Sequence, residues 1–316
     1  MEYFTNPKID FISKRTLFFF VSISVTIIGI IFVLFLGVEY GIDFEGGTEI
    51  AVKFSKTVDT EHIRKAIDGT GLTGSEIKSY GKENQYLIRI KESERASELV
   101  QEALRKTFSD MDLTILKVDK IGPKIGSELR GQAYLAVLLS VVAILIYIAF
   151  RFDFVFGLGA IVAMAHDLLV TFAIVIVAHH AGLMNLEINQ SILAAFLTVV
   201  GYSINDTVII FDRIRENKDR YKGKNFINMV NTSINETLSR TVNTVGTVLI
   251  VLIIMIFFGG PVLEGFAFTM TIGVITGTYS SIYIASSFVI WYLEKVKKID
   301  LSTGIEKKGV FSSAKA

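Results

Sequence analysis

Apolar and polar positions separate along this chain into long greasy runs and one extended polar stretch. Six runs approach the roughly 20 apolar residues that a helix needs to cross about 30 Å of hydrocarbon at ~1.5 Å per residue. They are Thr16 to Gly37, Ala133 to Phe150, Val155 to Ala178, Ser191 to Asp212, Thr241 to Phe258 and Gly265 to Tyr292. The third run holds His166 and Asp167, the fourth holds Asp206, and the fifth is small and polar in its first turn. Pro7, Pro123 and Pro261 all fall outside these spans, as helices with internally bonded backbones require. The expected fold class is an α-helical integral membrane protein with six transmembrane helices.

Residues 38–131, between the first two spans, change period from helix to strand and back. Ile50, Val52 and Phe54 alternate with polar or small residues as in a half-buried strand. Asp59 can cap a helix whose Ile63, Ala66 and Ile67 share a face and which stops at Gly69. Strands follow near Glu76 to Tyr80 and Gln85 to Lys91, with Gly81 to Asn84 as the turn between them. Ser93 can cap a second helix through Phe108, and a last strand covers Leu113 to Val118. Strand, helix, strand, strand, helix, strand is the ferredoxin-like α+β pattern. It places two helices on one face of an antiparallel sheet and leaves the other face to a partner. Phe44, Glu45, Gly46 and Gly47 enter this domain, and Gly122, Pro123, Lys124, Ile125 and Gly126 leave it. These segments read either as turns that need glycine or proline geometry or as a hinge that tilts the domain.

Composition and charge set the orientation. The chain is 51% hydrophobic and 20% charged, with a net charge of +1 and a mean hydropathy of +0.51, which fits a lipid environment and gives no reason to expect nucleic acid. Lys and Arg outside the domain gather in residues 1–15, 151–154, 213–240 and 293–316, and are missing from the short loops 179–190 and 259–264. Both termini are therefore expected in the cytoplasm and residues 38–131 across the membrane. The first run is too long for a cleaved signal and lacks a small-x-small site after Gly37, so it reads as a retained anchor. Cysteine is absent, so disulfides and thiolate metal sites are excluded. No metal site is expected.

The candidate chemistry lies in the residues that break the apolar pattern. A charge near the bilayer centre costs at least ~2.5 kcal/mol, so such residues face the bundle interior. On the fourth span Thr198, Tyr202, Asn205, Asp206 and Arg213 form one polar stripe. A carboxylate set between low dielectric, which favours its neutral form, and a cation, which favours its charge, can exchange protons near neutral pH. Asp206 is the candidate, with Arg240 as the cation. The alternative is helix-to-helix glue for Asp206 and Asn205, and a snorkelling boundary residue for Arg240. His166 with Asp167 is a titratable pair or a satisfied internal bond. Gly273 and Gly277 make a packing step. Residues 213–240 read as an amphipathic helix on the membrane surface, and His179 and His180 as solvated loop residues.

The run from Gly201 to Asn217, reading GYSINDTVIIFDRIREN, resembles the fourth-span signature of the SecF family of protein-export membrane subunits. The motifs at Phe44 to Gly47 and Gly122 to Gly126, the pair His166 and Asp167, and Asn235 to Thr241, reading NETLSRT, occur in the family's order along the chain. The resemblance implies one half of a SecD and SecF pair, related to the resistance, nodulation and division exporters. It would sit in the bacterial inner membrane, associate with the SecYEG channel, with YajC as a further partner, and use the proton-motive force to help pull unfolded preproteins outward. Asp206 and Arg240 would then be proton-path residues, with Tyr202 and Asn205 as neighbours. No cofactor is implied beyond the gradient itself, with sodium as the other coupling ion. The chain carries no Gly-x-x-x-x-Gly-Lys-Ser/Thr loop for an ATP-driven motor. Its Gly157 to Gly159 is followed by Ala160 rather than the Asp of a membrane aspartyl protease. A scaffold that only binds a partner through the exposed domain is the remaining alternative.

Overall fold

The computed structural model of the chain describes residues 7–72, 74–80, 83–91, 95–220 and 225–301. Six of its helices are long and apolar enough to cross a membrane: Ile12–Leu36, Pro123–Arg151, Phe154–His180, Gln190–Lys218, Phe226–Phe258 and Pro261–Val296. We label the elements α1 (Arg15–Leu36), α2 (Ile42–Glu45), β1 (Gly47–Phe54), α3 (Thr60–Asp68), β2 (Glu76–Ser79), β3 (Gln85–Ile90), α4 (Ala96–Thr107), β4 (Leu113–Ile121), α5 (Pro123–Arg151), α6 (Phe154–His180), α7 (Gln190–Arg220), α8 (Phe226–Phe258), α9 (Pro261–Ser280) and α10 (Ser286–Trp291). A π-helical turn, Ser281–Ala285, joins α9 to α10, and a second one ends the span at Tyr292–Val296.

The sheet is antiparallel with the order β2-β3-β1-β4, the ferredoxin-like arrangement. Asp59 caps α3 by accepting from the Glu61 backbone N–H at 3.0 Å. Ile50, Val52, Phe54 and Ile88 from the sheet close on Ile63, Ile67, Val100 and Leu104 from α3 and α4, all of them buried. Ser93, the expected cap of α4, and Gly81 and Lys82 of the expected turn lie outside the described residues, as does the tail beyond Leu301.

In the bundle α6, α7 and α9 form the centre, while α1, α5 and α8 present rows of exposed apolar side chains such as Leu34, Phe35, Leu138, Leu139, Ile253 and Ile254. Small residues bring the central helices together, because lipid supplies no hydrophobic push between them. A Cβ on Gly273 would lie 2.2 Å from Val199, and one on Gly277 would lie 3.2 Å from the Ser203 Cα. Only glycine allows α9 to approach α7 this closely.

Two elements differ from the sequence reading. Residues 213–240 do not form one helix lying on a membrane surface. Instead α7 continues to Arg220 and α8 starts at Phe226, so the two spans extend past the bundle as a helical hairpin. Phe226, Met229, Val230 and Ile234 pack with Ile12, Ile210, Ile214 and Leu301. The same apolar stripe suits a lipid surface or a neighbouring helix, and here a helix takes it. Likewise, α5 begins at Pro123, ahead of the expected Ala133, because proline's fixed φ and missing N–H suit the first position of a helix.

Candidate functional site

Two carboxylates lie in the middle of the bundle, and their surroundings differ. Asp167 on α6 is 0% exposed. Its Oδ2 accepts from the Ser203 hydroxyl of α7 at 2.5 Å and from the Ser280 hydroxyl of α9 at 2.7 Å. Its Oδ1 lies 3.0 Å from His166 Nδ1, and His166 Nε2 lies 2.6 Å from the Ser22 hydroxyl of α1. Both oxygens are engaged, so this cluster ties four helices together. The cluster sits where the π-helical turn after Ser280 begins.

Asp206 on α7 is 1% exposed. The Thr278 hydroxyl of α9 donates to its Oδ2 at 3.2 Å. Its Oδ1 is buried without a hydrogen-bond partner among the described residues, and so is the hydroxyl of Tyr202 one turn earlier. Arg240, at the start of the apolar part of α8, is exposed and forms no ion pair with Asp206. The expected polar stripe therefore divides. Asp206 and the Tyr202 hydroxyl turn toward the bundle interior, whereas Thr198 and Asn205 face outward. A helix of 3.6 residues per turn spreads residues three, four and seven apart over a wide arc, and a tight interface splits that arc.

At the domain end of the bundle, the sheet's second face meets the helix rim. Tyr40 pairs with Ile188 as an isolated parallel bridge, with Gly41 N–H donating to the Ile188 carbonyl at 3.0 Å. Lys78 donates to Glu39 at 2.7 Å and to Glu187 at 2.9 Å. Arg89 pairs with Glu187, both almost fully buried, and also reaches Glu49 and Glu76. That face, expected to be free for a partner, thus gives part of its charged end to the chain's own bundle. The hydrogen bond from Lys78 holds the Glu39 carboxyl down at about 2, against the opposing effect of burial. Burial pushes Glu49 up, against the attraction of Arg89.

His179 corrects another expectation. It is 9% exposed rather than solvated. Its Nδ1 accepts the Leu186 backbone N–H at 3.0 Å, so its Nε2 carries the proton facing Glu39 at 3.1 Å. Glu39, His179 and Glu187 offer three ligand atoms within 4.8 Å of one another. The Lys78 ammonium bonded to both carboxylates already takes the place of a cation there.

The glycine motifs come together as a close-packed joint. A Cβ on Gly126 would lie 2.8 Å from Gly46 N, and one on Gly46 would lie 2.8 Å from the Pro123 Cα. Gly46 and Gly47 have φ of +77° and +131°. The Arg130 guanidinium donates to the Phe44 carbonyl at 2.5 Å and 3.1 Å. Segments packed this way lock the chain's entry to the domain, beside Phe44, Gly46 and Gly47, against its exit at Gly122, Pro123 and Gly126. A free swivel would need space between them.

Sequence reasoning missed Ser22, Ser203, Ser280 and Thr278, which hold the two carboxylates, and Lys78, Arg89 and Glu187, which dock the domain. The available signal was Ser203, one turn before Asp206 within the same motif.

Six helices long and apolar enough to span a membrane, a ferredoxin-like domain between the first two, and two buried carboxylates at mid-bundle define a multi-pass membrane protein with a polar core. Residues 99–295 match the family model for the protein export membrane protein SecD/SecF, C-terminal, and residues 31–58 match the SecD/SecF GG motif. The protein translocase subunit SecF of Rhodothermus marinus is 39% identical over 293 residues, covering 92% of this chain and 95% of that protein. That of Desulfurispirillum indicum is 40% identical over 294 residues, covering 90% and 91%. The crystal structure of SecDF, a translocon-associated membrane protein from Thermus thermophilus, superposes with a TM-score of 0.80 at 35% identity. The match covers 92% of this chain and 39% of that longer one. The chain belongs to the SecF family of protein translocase subunits.

Proposed function

We propose that the chain is the SecF half of a SecD–SecF complex that couples the proton-motive force to protein translocation through the SecYEG channel, with Asp206 binding the coupling proton. The observation that supports this reading is the state of Asp206: buried, with one weak donor, an unpartnered second oxygen and no direct cation. An ionised carboxylate so poorly satisfied in a low-dielectric core is costly, and a proton removes that cost. Arg240 supplies the opposing pull toward the charged form. The two together permit exchange, which burial alone or a tight ion pair would not. Asp167, with both oxygens bonded, serves instead as the hub that holds the path's walls. Asn205 and Arg240, exposed on α7 and α8, face the side where the SecD half and its own carboxylate would complete the path. In this reading both termini lie in the cytoplasm of a bacterial cell and the α+β domain outside, with YajC as a further associate and unfolded preproteins as clients. Sodium in place of the proton is the variation, distinguished by testing which ion gradient drives export.

The test is Asp206→Asn in vesicles that contain SecD and the channel. Gradient-driven export falls at least about tenfold, corresponding to ~1.4 kcal/mol or more, while protein level persists. Unchanged gradient-driven export would leave only the scaffold reading. Arg240→Ala impairs the same step. If it lowers expression alone, Arg240 is an anchor.

A further inference from the structure

The segments Gly201 to Asn217 and Asn235 to Thr241 carry polar residues beyond Asp206 and Arg240, and some of these meet across α7 and α8. At the end of the bundle opposite the domain, Arg213 Nε donates to Glu236 Oε2 at 2.7 Å, and Asn217 Nδ2 donates to the same oxygen at 2.6 Å. Arg213 Nη1 also donates to Glu216 at 2.7 Å, within α7. Asn217, 0% exposed, reaches the buried Ser233 hydroxyl at 3.0 Å. One carboxylate of α8 thus receives two donors from α7. The side chains of Arg213 and Glu236 are each 29% exposed, so the pair is shielded on most sides.

Helical geometry relates this clamp to the proposed proton site. Arg213 lies two turns, ~10 Å, beyond Asp206 on α7, and Glu236 lies one turn, ~6 Å, before Arg240 on α8. Residues seven and four apart share a helix face. The clamp therefore lies on the helix faces that carry Asp206 and Arg240, and holding α7 to α8 there restrains how far the two helices can part beside those residues. A second brace acts on the outer side of α8. Asn231 Oδ1 accepts the Phe11 backbone N–H at 2.9 Å, Asn235 Oδ1 accepts the Ile9 backbone N–H at 2.9 Å, and both amides donate back to the Ile9 carbonyl. The segment leading into α1 is thereby strapped along α8 just before Arg240.

We propose that Glu236, Arg213 and Asn217 are positioning residues that set the distance between Asp206 and Arg240, and with it the proton affinity of the site. This rests on the reading of Asp206 as the proton carrier. A clamp that held α8 closer would favour the charged carboxylate, and one that let it drift would favour the neutral acid, so the clamp tunes the site without touching the proton.

The experiment records gradient-driven export against pH in vesicles containing SecD and the channel, for Glu236→Gln, Asn217→Ala, the swap Arg213→Glu with Glu236→Arg, and Asp206→Asn as a control. Glu236→Gln and Asn217→Ala each displace the pH midpoint by about half a unit or more, roughly a threefold change in proton affinity, with protein levels retained. The swap returns the midpoint toward wild type. Asn217→Ala removes no charge, so a shift there shows positioning rather than a Coulombic effect. If the clamp variants keep the wild-type pH profile while Asp206→Asn abolishes gradient-driven export, the clamp is a folding staple and the inference is overturned. If Asp206→Asn itself exports normally, the underlying proton reading fails and takes the clamp's role with it. Should Glu236→Gln accumulate poorly, Asn217→Ala and the swap carry the same decision.

Discussion

Asp167 and Asp206 are both carboxylates buried in the same helical core, yet one is fully bonded and the other half empty-handed. Asp167 takes two serine hydroxyls and an imidazole, from three different helices counting its own. Asp206 takes one threonine hydroxyl at the long end of the range. Burial alone therefore does not mark a proton carrier. What differs is what a proton meets on arrival: at Asp167 both oxygens are already bonded and the His166 imidazole would have to change from donor to acceptor, whereas at Asp206 one oxygen is without a partner among the described residues. On the proposed function, the same contrast separates a residue that builds the site from one that works in it.

The largest expected effect on stability breaks the comparison at Asp167. Asp167→Ala strands the Ser203 and Ser280 hydroxyls and His166 in a dry interior, where each unsatisfied group costs ~1–3 kcal/mol. Thermal unfolding in detergent registers a loss of at least ~2 kcal/mol. Asp167→Asn, by contrast, places its amide oxygen toward both serines and its NH2 toward His166 Nδ1, with the other imidazole tautomer accepting. It loses under ~1 kcal/mol and keeps gradient-driven export. Equal damage from the two substitutions would show that the charge of Asp167, not its acceptors, matters.

A smaller effect sharpens the comparison at Asp206. Thr278→Val removes the one donor to that carboxylate, and such a bond contributes ~0.5–1.5 kcal/mol. The pH midpoint of gradient-driven export moves by up to about one unit, and folding stays intact. An unmoved midpoint would mean that Thr278 bonds only its own helix, through its 2.9 Å donation to the Val274 carbonyl.

The smallest effect lies at the domain end. A carboxyl held at about 2, below its ordinary 4.5, lends docking stability that is complete above about 4.5 and is lost as pH falls through 2. Docking of the domain on the bundle, followed by a fluorescence pair across the junction, therefore persists at pH 5 and loosens only in stronger acid. Glu39→Gln removes that acid dependence.

The elements of the domain could be read from the sequence because period two and period 3.6 differ within a few residues, and Asp59 and Gly69 mark the ends of α3. Asp206 and Asp167 stood out because a carboxylate in a greasy run is rare. Their partners did not. A serine in an apolar span such as Ser22 or Ser280 looks the same whether it donates to its own backbone or across an interface, and only the packing decides. His179 misled for a similar reason: the last residues of a span look solvated until a neighbouring segment, here the one around Glu39, covers them. The hairpin of α7 and α8 was hidden because an amphipathic stripe does not say which apolar surface it will meet.

The central claim is that Asp206, and not Asp167, exchanges the coupling proton. Infrared difference spectra of the protein in lipid, recorded between acid and neutral pH, observe the carbonyl stretch of a protonated buried carboxylic acid directly. The account predicts that one such titrating band is lost in Asp206→Asn and retained in Asp167→Asn. Spectra of Asp206→Asn that keep every wild-type band, or a band that disappears with Asp167→Asn instead, would contradict it.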